Sequence, residues 1–149
     1  MSQRTCSDRL SVAFERLVNA LTTGKKKGRN YGTGEILYIA EVHHLAEIGK
    51  HPGTTASEII KRLGITKGAT SQTLKKLESR GYITKYPKPE NMKQFNLHLT
   101  KKGQIAFKNH ETRDRLLVES LKRHMGDVEP EVIERFINLV DELTDFVLE

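Results

Sequence analysis

Residues 54–103 read TTASEIIKRLGITKGATSQTLKKLESRGYITKYPKPENMKQFNLHLTKKG, and this stretch decides the fold. Thr55, followed three residues later by Glu58, is a capping box that starts a short helix ending near Leu63. Gly64 permits a tight turn. Thr66 caps a second helix, Lys67 to Arg80, whose inward positions are Thr70, Leu74 and Leu77, and Gly81 ends it. Two short helices joined by a few residues around a glycine form a helix-turn-helix. The period then changes. Tyr82, Ile83 and Lys85 predict a strand, and Pro87, Pro89, Glu90 and Asn91 a turn. Phe95, Leu97 and Leu99 alternate with Asn96 and His98, the signature of a strand with one dry face. A hairpin attached directly to a helix-turn-helix is a wing.

Outward from this module the pattern is helical. Leu10, Phe14, Leu17 and Leu21 recur at spacings of three and four, which predicts a first helix over Asp8–Leu21. Residues 22–34 hold four glycines and the run Lys25, Lys26, Lys27 and Arg29, and read as a loop or a frayed helix end. Thr33 is expected to cap a second helix, Gly34 to Gly49. Thr100 caps a long helix from Lys101 to about Met125. Pro130 fits the first turn of a last helix running to about Val147. The expected fold is therefore mainly α with a small β wing, in one domain over 1–149. The module occupies 54–103, and segments 8–22 and 105–149 act as dimerisation helices. Dimerisation is expected because Val132, Ile133, Phe136, Ile137 and Val140 give the last helix a wide apolar arc, and Leu10 and Phe14 face the same need.

The charge is uneven. The chain of 149 residues carries a formal +6, but residues 61–104 alone hold 11 basic and 2 acidic residues, net +9. Residues 105–149 hold 6 basic and 11 acidic, net −5. A segment at +9 suits a polyanion. No apolar run is long enough to span a membrane and no secretion signal is visible, so the expected location is the cytoplasm. The lone cysteine, Cys6, excludes an internal disulfide framework.

In these motifs the chain resembles the MarR-type winged-helix transcription regulators. The resemblance rests on Thr55-Ala56-Ser57-Glu58-Ile59, Leu63-Gly64-Ile65-Thr66-Lys67, Ala69-Thr70-Ser71-Gln72, Leu77-Glu78-Ser79-Arg80-Gly81-Tyr82-Ile83 and Leu97-His98-Leu99-Thr100-Lys101-Lys102-Gly103. It implies a homodimer that binds two-fold operator DNA, often as a repressor released by a ligand, a metal or an oxidant. One departure is visible at the wing tip. There the family usually carries Asp-x-Arg, and here Asn91 and Lys93 stand in those places.

The second helix of the motif would present Lys67, Gly68, Ala69, Ser71, Gln72, Lys75 and Lys76 to the duplex. The small Gly68 and Ala69 let the backbone approach, and the free N–H groups after Thr66 meet a phosphate. Gln72 is the expected base reader, because its amide fits the N6 and N7 edge of adenine. Ser71 contacts base or phosphate; Lys75, Lys76 and Lys88 contact phosphate, and Lys93 the minor groove. Thr55 contacts the backbone from the preceding helix.

For an effector, Glu41, His43, His44, His110 and Glu111 form a candidate set for Zn²⁺ or a similar ion, the alternative being a hydrogen-bonded polar cluster. Cys6, beside Arg4 and Arg9, is a candidate redox residue. A small organic effector is the other class, with Tyr31, Tyr38 and Phe107 as candidate lining. No nucleophile elbow, phosphate loop or dinucleotide fingerprint is present, so no enzyme is expected. The alternative to a specific regulator is an architectural or protein-interaction winged helix.

Overall fold

The computed structural model describes residues 5–89 and 91–148, with all side chains among them except those of Leu21, Lys25, Lys26, Met92, Lys93, Val147 and Leu148. Helix α1 runs Cys6–Lys26, ribbon strands β1 and β2 are Arg29–Asn30 and Ile36–Leu37, and α2 is Ile39–Lys50. The motif helices are α3, Ala56–Leu63, and α4, Lys67–Ser79. The wing strands are β3, Ile83–Lys88, and β4, Asn91–Leu99; α5 is Lys101–Met125 and α6 is Pro130–Leu148. The chain divides into two compact units, the first ending at Glu111 and the second beginning at Thr112.

In the first unit the expected caps are in place. Thr55 and Glu58 cap α3 reciprocally, and Thr66 Oγ1 accepts from the Ala69 N–H. Gly64 ends α3 at φ 62°, a left-handed conformation that costs a residue with a Cβ. Thr100 Oγ1 accepts from the Gly103 N–H and donates to the Gly81 carbonyl, tying the start of α5 to the end of the motif. Gly103 is needed there, since a Cβ would meet the Tyr82 carbonyl oxygen at 2.1 Å. Strands β3 and β4 pair antiparallel from Ile83 with Leu99 to Pro87 with Phe95, and slip at Lys88, which pairs with Asn91. Leu97 also bridges Thr54, which seats the wing on the start of α3.

The core lies between these elements. Leu37, Val42, Leu45, Ile48, Ile59, Leu77, Tyr82 and Leu97 are almost wholly buried. Among the described residues every buried apolar side chain lies between Tyr31 and Ala106.

Two stretches differ from expectation. The first helix continues to Lys26, in line with the helix-end alternative for residues 22–34, but the segment after it closes into the unexpected antiparallel β1–β2 ribbon, with Arg29 opposite Leu37. Asn30 Oδ1 organises its turn by accepting from the N–H groups of Gly32, Thr33 and Gly34. Helix α2 accordingly starts at Ile39, not Gly34. Thr33 is no cap, because its hydroxyl pairs with the Tyr82 hydroxyl at 2.8 Å.

In the second unit the end of α5 turns through residues 126–129, with the Val128 N–H donating to the Met125 carbonyl. Pro130 occupies the first turn of α6, as expected. On α6, Val132, Phe136 and Ile137 stay about half exposed and Phe146 more so.

Candidate nucleic-acid interface

Helix α4 has one dry and one wet face. Thr70, Leu74 and Leu77 are buried against α2, α3 and β3, whereas Lys67, Gly68, Ala69, Ser71, Gln72, Lys75 and Lys76 are exposed. This division follows from the spacing of Thr70, Leu74 and Leu77, which leaves the intervening polar residues on the outside. Thr55 is half-buried and its hydroxyl is engaged with Glu58, while Lys88 is half-buried in the wing. The side chain of Lys93 lies outside the described residues.

Between α3, α4 and the wing lies an open groove of about 400 Å³. Ser57, Lys67, Ser71, Lys85 and Gln94 bring polar groups to it, and Ile60, Leu74 and Phe95 form its apolar wall. Ser57, Lys85 and Gln94 were not singled out from sequence. Lys85 could have been, since the hairpin pairs it with Leu97 and so puts it on the same face. Lys85 is engaged within the chain, 2.6 Å from Glu78. The Thr70 hydroxyl lines the groove and finds no hydrogen-bond partner among the described residues.

Lys76 departs from the expectation of a cation free for phosphate. Its Nζ lies 3.0 Å from Glu41 Oε1 and 5.3 Å from the centre of the Tyr38 ring. The cause is an acidic pair that the surrounding cations must neutralise. Glu41 is almost fully buried and also receives Arg80 Nη1 at 2.9 Å. Arg80 donates further to Glu35 and to the Ile36 carbonyl. Lys102 pairs with Glu35 and donates to the Arg80 carbonyl. Hydrogen bonds from Lys102 first, then Arg80, hold the Glu35 carboxyl below the usual carboxylate range, against a smaller desolvation cost.

The candidate effector residues are only partly brought together. The His43 and His110 rings lie 5.5 Å apart, and Tyr31 meets His110 edge-on at 6.0 Å. His44 is buried, as the helical stripe implied, and its Nδ1 bonds the Ala40 carbonyl at 2.7 Å. Burial pushes its imidazole below the ordinary range. Glu41 is turned away to Lys76 and Arg80, and Glu111 is exposed. Among the described residues no three His, Cys, Asp or Glu side chains converge so as to hold a metal ion. Among the described residues the candidate ion-binding set is therefore not assembled, since Glu41 is spent on two cations and Glu111 faces solvent. Nor do the three candidate aromatics share a cleft. Tyr31 is buried and Tyr38 lies under Lys76, while Phe107 lines a separate recess of about 260 Å³ with Ile48, His98 and Leu99. Cys6 is exposed in the first turn of α1.

Comparison with known proteins matches this geometry. The MarR family model matches residues 37–95, which run from the end of β2 through most of the wing. This family is one of transcription regulators, not enzymes. The HTH-type transcriptional regulator PetP of Rhodobacter capsulatus is 26% identical over 105 residues, 69% of this chain. The chain spans 61% of that relative's length. Streptococcus pneumoniae FabT, solved in complex with DNA, superposes with a TM-score of 0.67 at 26% identity, covering 95% of this chain and 94% of that one. Lactococcus lactis ZitR, a zinc-responsive MarR family member, superposes at 0.73 with 18% identity, covering 91% and 99%. The dry and wet faces of α4, the wing paired with it and these matches together show a winged helix-turn-helix fold similar to that of MarR family regulators, whose family model matches residues 37–95.

Proposed function

We propose that this protein is a sequence-specific double-stranded DNA-binding transcription regulator that acts as a homodimer and represses until a small ligand releases it. The observation that carries the reading is the outer face of α4, basic and small at its start, inside the segment of net charge +9. Protein-only modules have no need of that face. In the proposal, the N–H groups after Thr66, together with Lys67, Gly68 and Ala69, meet a phosphate at the helix start. Gln72 reads a base edge, with Ser71 beside it. Lys75, and Lys88 on the wing, neutralise phosphates and fix register, helped by Thr55, while Lys93 meets the minor groove. FabT, similar over most of the chain, has been solved with DNA, which supports the same use here.

The homodimer is proposed to form through α1 and α6, whose Leu10, Leu17, Val132 and Phe136 stand about half exposed in the single chain. Two copies of α4 then read half-sites about one helical turn apart. The ligand is proposed to be a small organic molecule. ZitR responds to zinc, but among the described residues no three donors converge on an ion, so addition of Zn²⁺ should leave duplex affinity unchanged. Among the described residues no helix is long and apolar enough to cross a membrane, which agrees with action in the cytoplasm.

The deciding experiment is a competition shift assay with the protein's own upstream DNA against random duplex. Preference for the upstream DNA is expected. Equal competition would favour an architectural binder instead.

A further inference from the structure

The C-terminal end of the recognition helix is held quite differently from its start. At the start, the Thr66 cap and the apolar wall of the groove fix α4. At the end, Lys76 and Arg80, one helical turn apart, both reach Glu41 on α2. That carboxylate is 4% exposed, so its charge is poorly screened and demands partners. Its other oxygen, Oε2, accepts from the Tyr38 N–H at 2.7 Å, which caps α2. Arg80 is anchored independently by Glu35 and the Ile36 carbonyl. Lys76 is half exposed and stands on the face offered to DNA, yet its ammonium lies 3.0 Å from Glu41 Oε1.

We propose that Glu41 is a positioning residue for DNA recognition, which withdraws Lys76 from the phosphates and so sets both the pose of α4 and the number of cations it offers. The inference rests on the DNA-binding reading above. A protein's gain in affinity from phosphate contacts is sequence-independent, so a withheld lysine lowers nonspecific binding more than it lowers operator binding. Glu41 then favours discrimination at the expense of raw affinity.

Glu41→Gln isolates this role. Glutamine preserves the acceptor for the Tyr38 N–H, and Arg80 keeps Glu35, so the fold retains its other ties. Anisotropy titrations on an operator-like and a scrambled duplex, over a range of salt, give the readout. With Lys76 released, binding to the scrambled duplex should strengthen and its salt slope steepen by about one per subunit. The ratio of specific to nonspecific affinity should fall. In the double variant Glu41→Gln with Lys76→Ala, the slope should return to the parent value. Lys76→Ala alone changes an exposed side chain and leaves the fold, and it should leave the parent slope unchanged.

A slope reduced by about one in Lys76→Ala would overturn the proposal, because Lys76 would then already lie on a phosphate. So would a Glu41→Gln variant that weakens both duplexes equally with no change of slope. Should Glu41→Gln fail to fold, Lys76→Ala alone decides. A parent protein that bound neither duplex would overturn the DNA-binding reading itself and the inference with it, whereas salt-dependent parent binding leaves the lysine test to judge Glu41 alone.

Discussion

The stretch from Tyr31 to Ala106 and the helices that precede and follow it in sequence meet the demand for burial in opposite ways. Within the stretch, residues from α2, α3, α4, the wing and the start of α5 close over one another, and Leu45, Leu77 and Leu97 are left with almost no exposed surface. In α1 no described side chain is buried, and on α6 Phe136 keeps 51% of its surface exposed. Both regions are amphipathic in sequence. The difference teaches that amphipathicity states a requirement, while short-range partners decide whether one chain meets it. Covering a half-exposed Leu or Phe contributes roughly 1 kcal/mol, and several such residues on α1 and α6 are what motivates the proposed second copy, whose gain must offset the association entropy.

The largest effect should come from the dense region. Leu77→Ala removes a wholly buried side chain and should lower unfolding free energy by about 2–5 kcal/mol, measured by urea titration. Phe136→Ala, in the open region, should cost far less at low protein concentration, where no partner covers it. Equal losses would erase the contrast.

The next effect concerns association. Parent protein should sediment at twice its 17.0 kDa mass at micromolar concentration. Val132→Glu with Phe136→Glu should give the single-chain mass with an unchanged helical spectrum for the core module. A parent that is already monomeric would remove the reason for a partner.

A smaller change is expected on the wet face of α4. Gln72→Ala should reduce preference for the specific site by ~1–3 kcal/mol per half-site, with nonspecific binding nearly unchanged and stability intact. Fluorescence anisotropy on matched duplexes measures both.

The smallest effect comes from inside the core. Burial holds the His44 imidazole below its ordinary 6.5. Below that value the unfolded chain takes up a proton that the folded chain refuses, so stability falls with pH until the folded value is passed. Above it the contribution is complete. Urea midpoints should therefore decline between about pH 7 and pH 5.5, and His44→Gln should flatten that decline. A midpoint that rose on acidification would reverse the assigned sign.

Much of the module was legible in sequence because it is written in local signals. Thr55, Thr66 and Thr100 cap as read, Gly64 turns as read, and the alternation of Phe95, Leu97 and Leu99 marks β4. The β1–β2 ribbon was not legible, since strands of two residues show no period and the surrounding glycines and lysines resemble any loop. Thr33 fitted a cap by composition, yet Tyr82, 49 residues away, claimed its hydroxyl. The pairing of Lys76 with Glu41 was hidden for the same reason. Charge on a helix face shows in sequence, but the buried carboxylate opposite it becomes visible only when α2 and α4 are packed together.

The central claim is that the wet face of α4, presented by a self-sufficient core, selects one DNA sequence. It is tested most directly by anisotropy on the upstream duplex and a scrambled duplex of equal length, from about 50 to 200 mM salt. Affinity for both should fall steeply with salt, while the upstream duplex stays tighter by about 10³-fold or more. Identical affinities for the two duplexes across the salt range would contradict it.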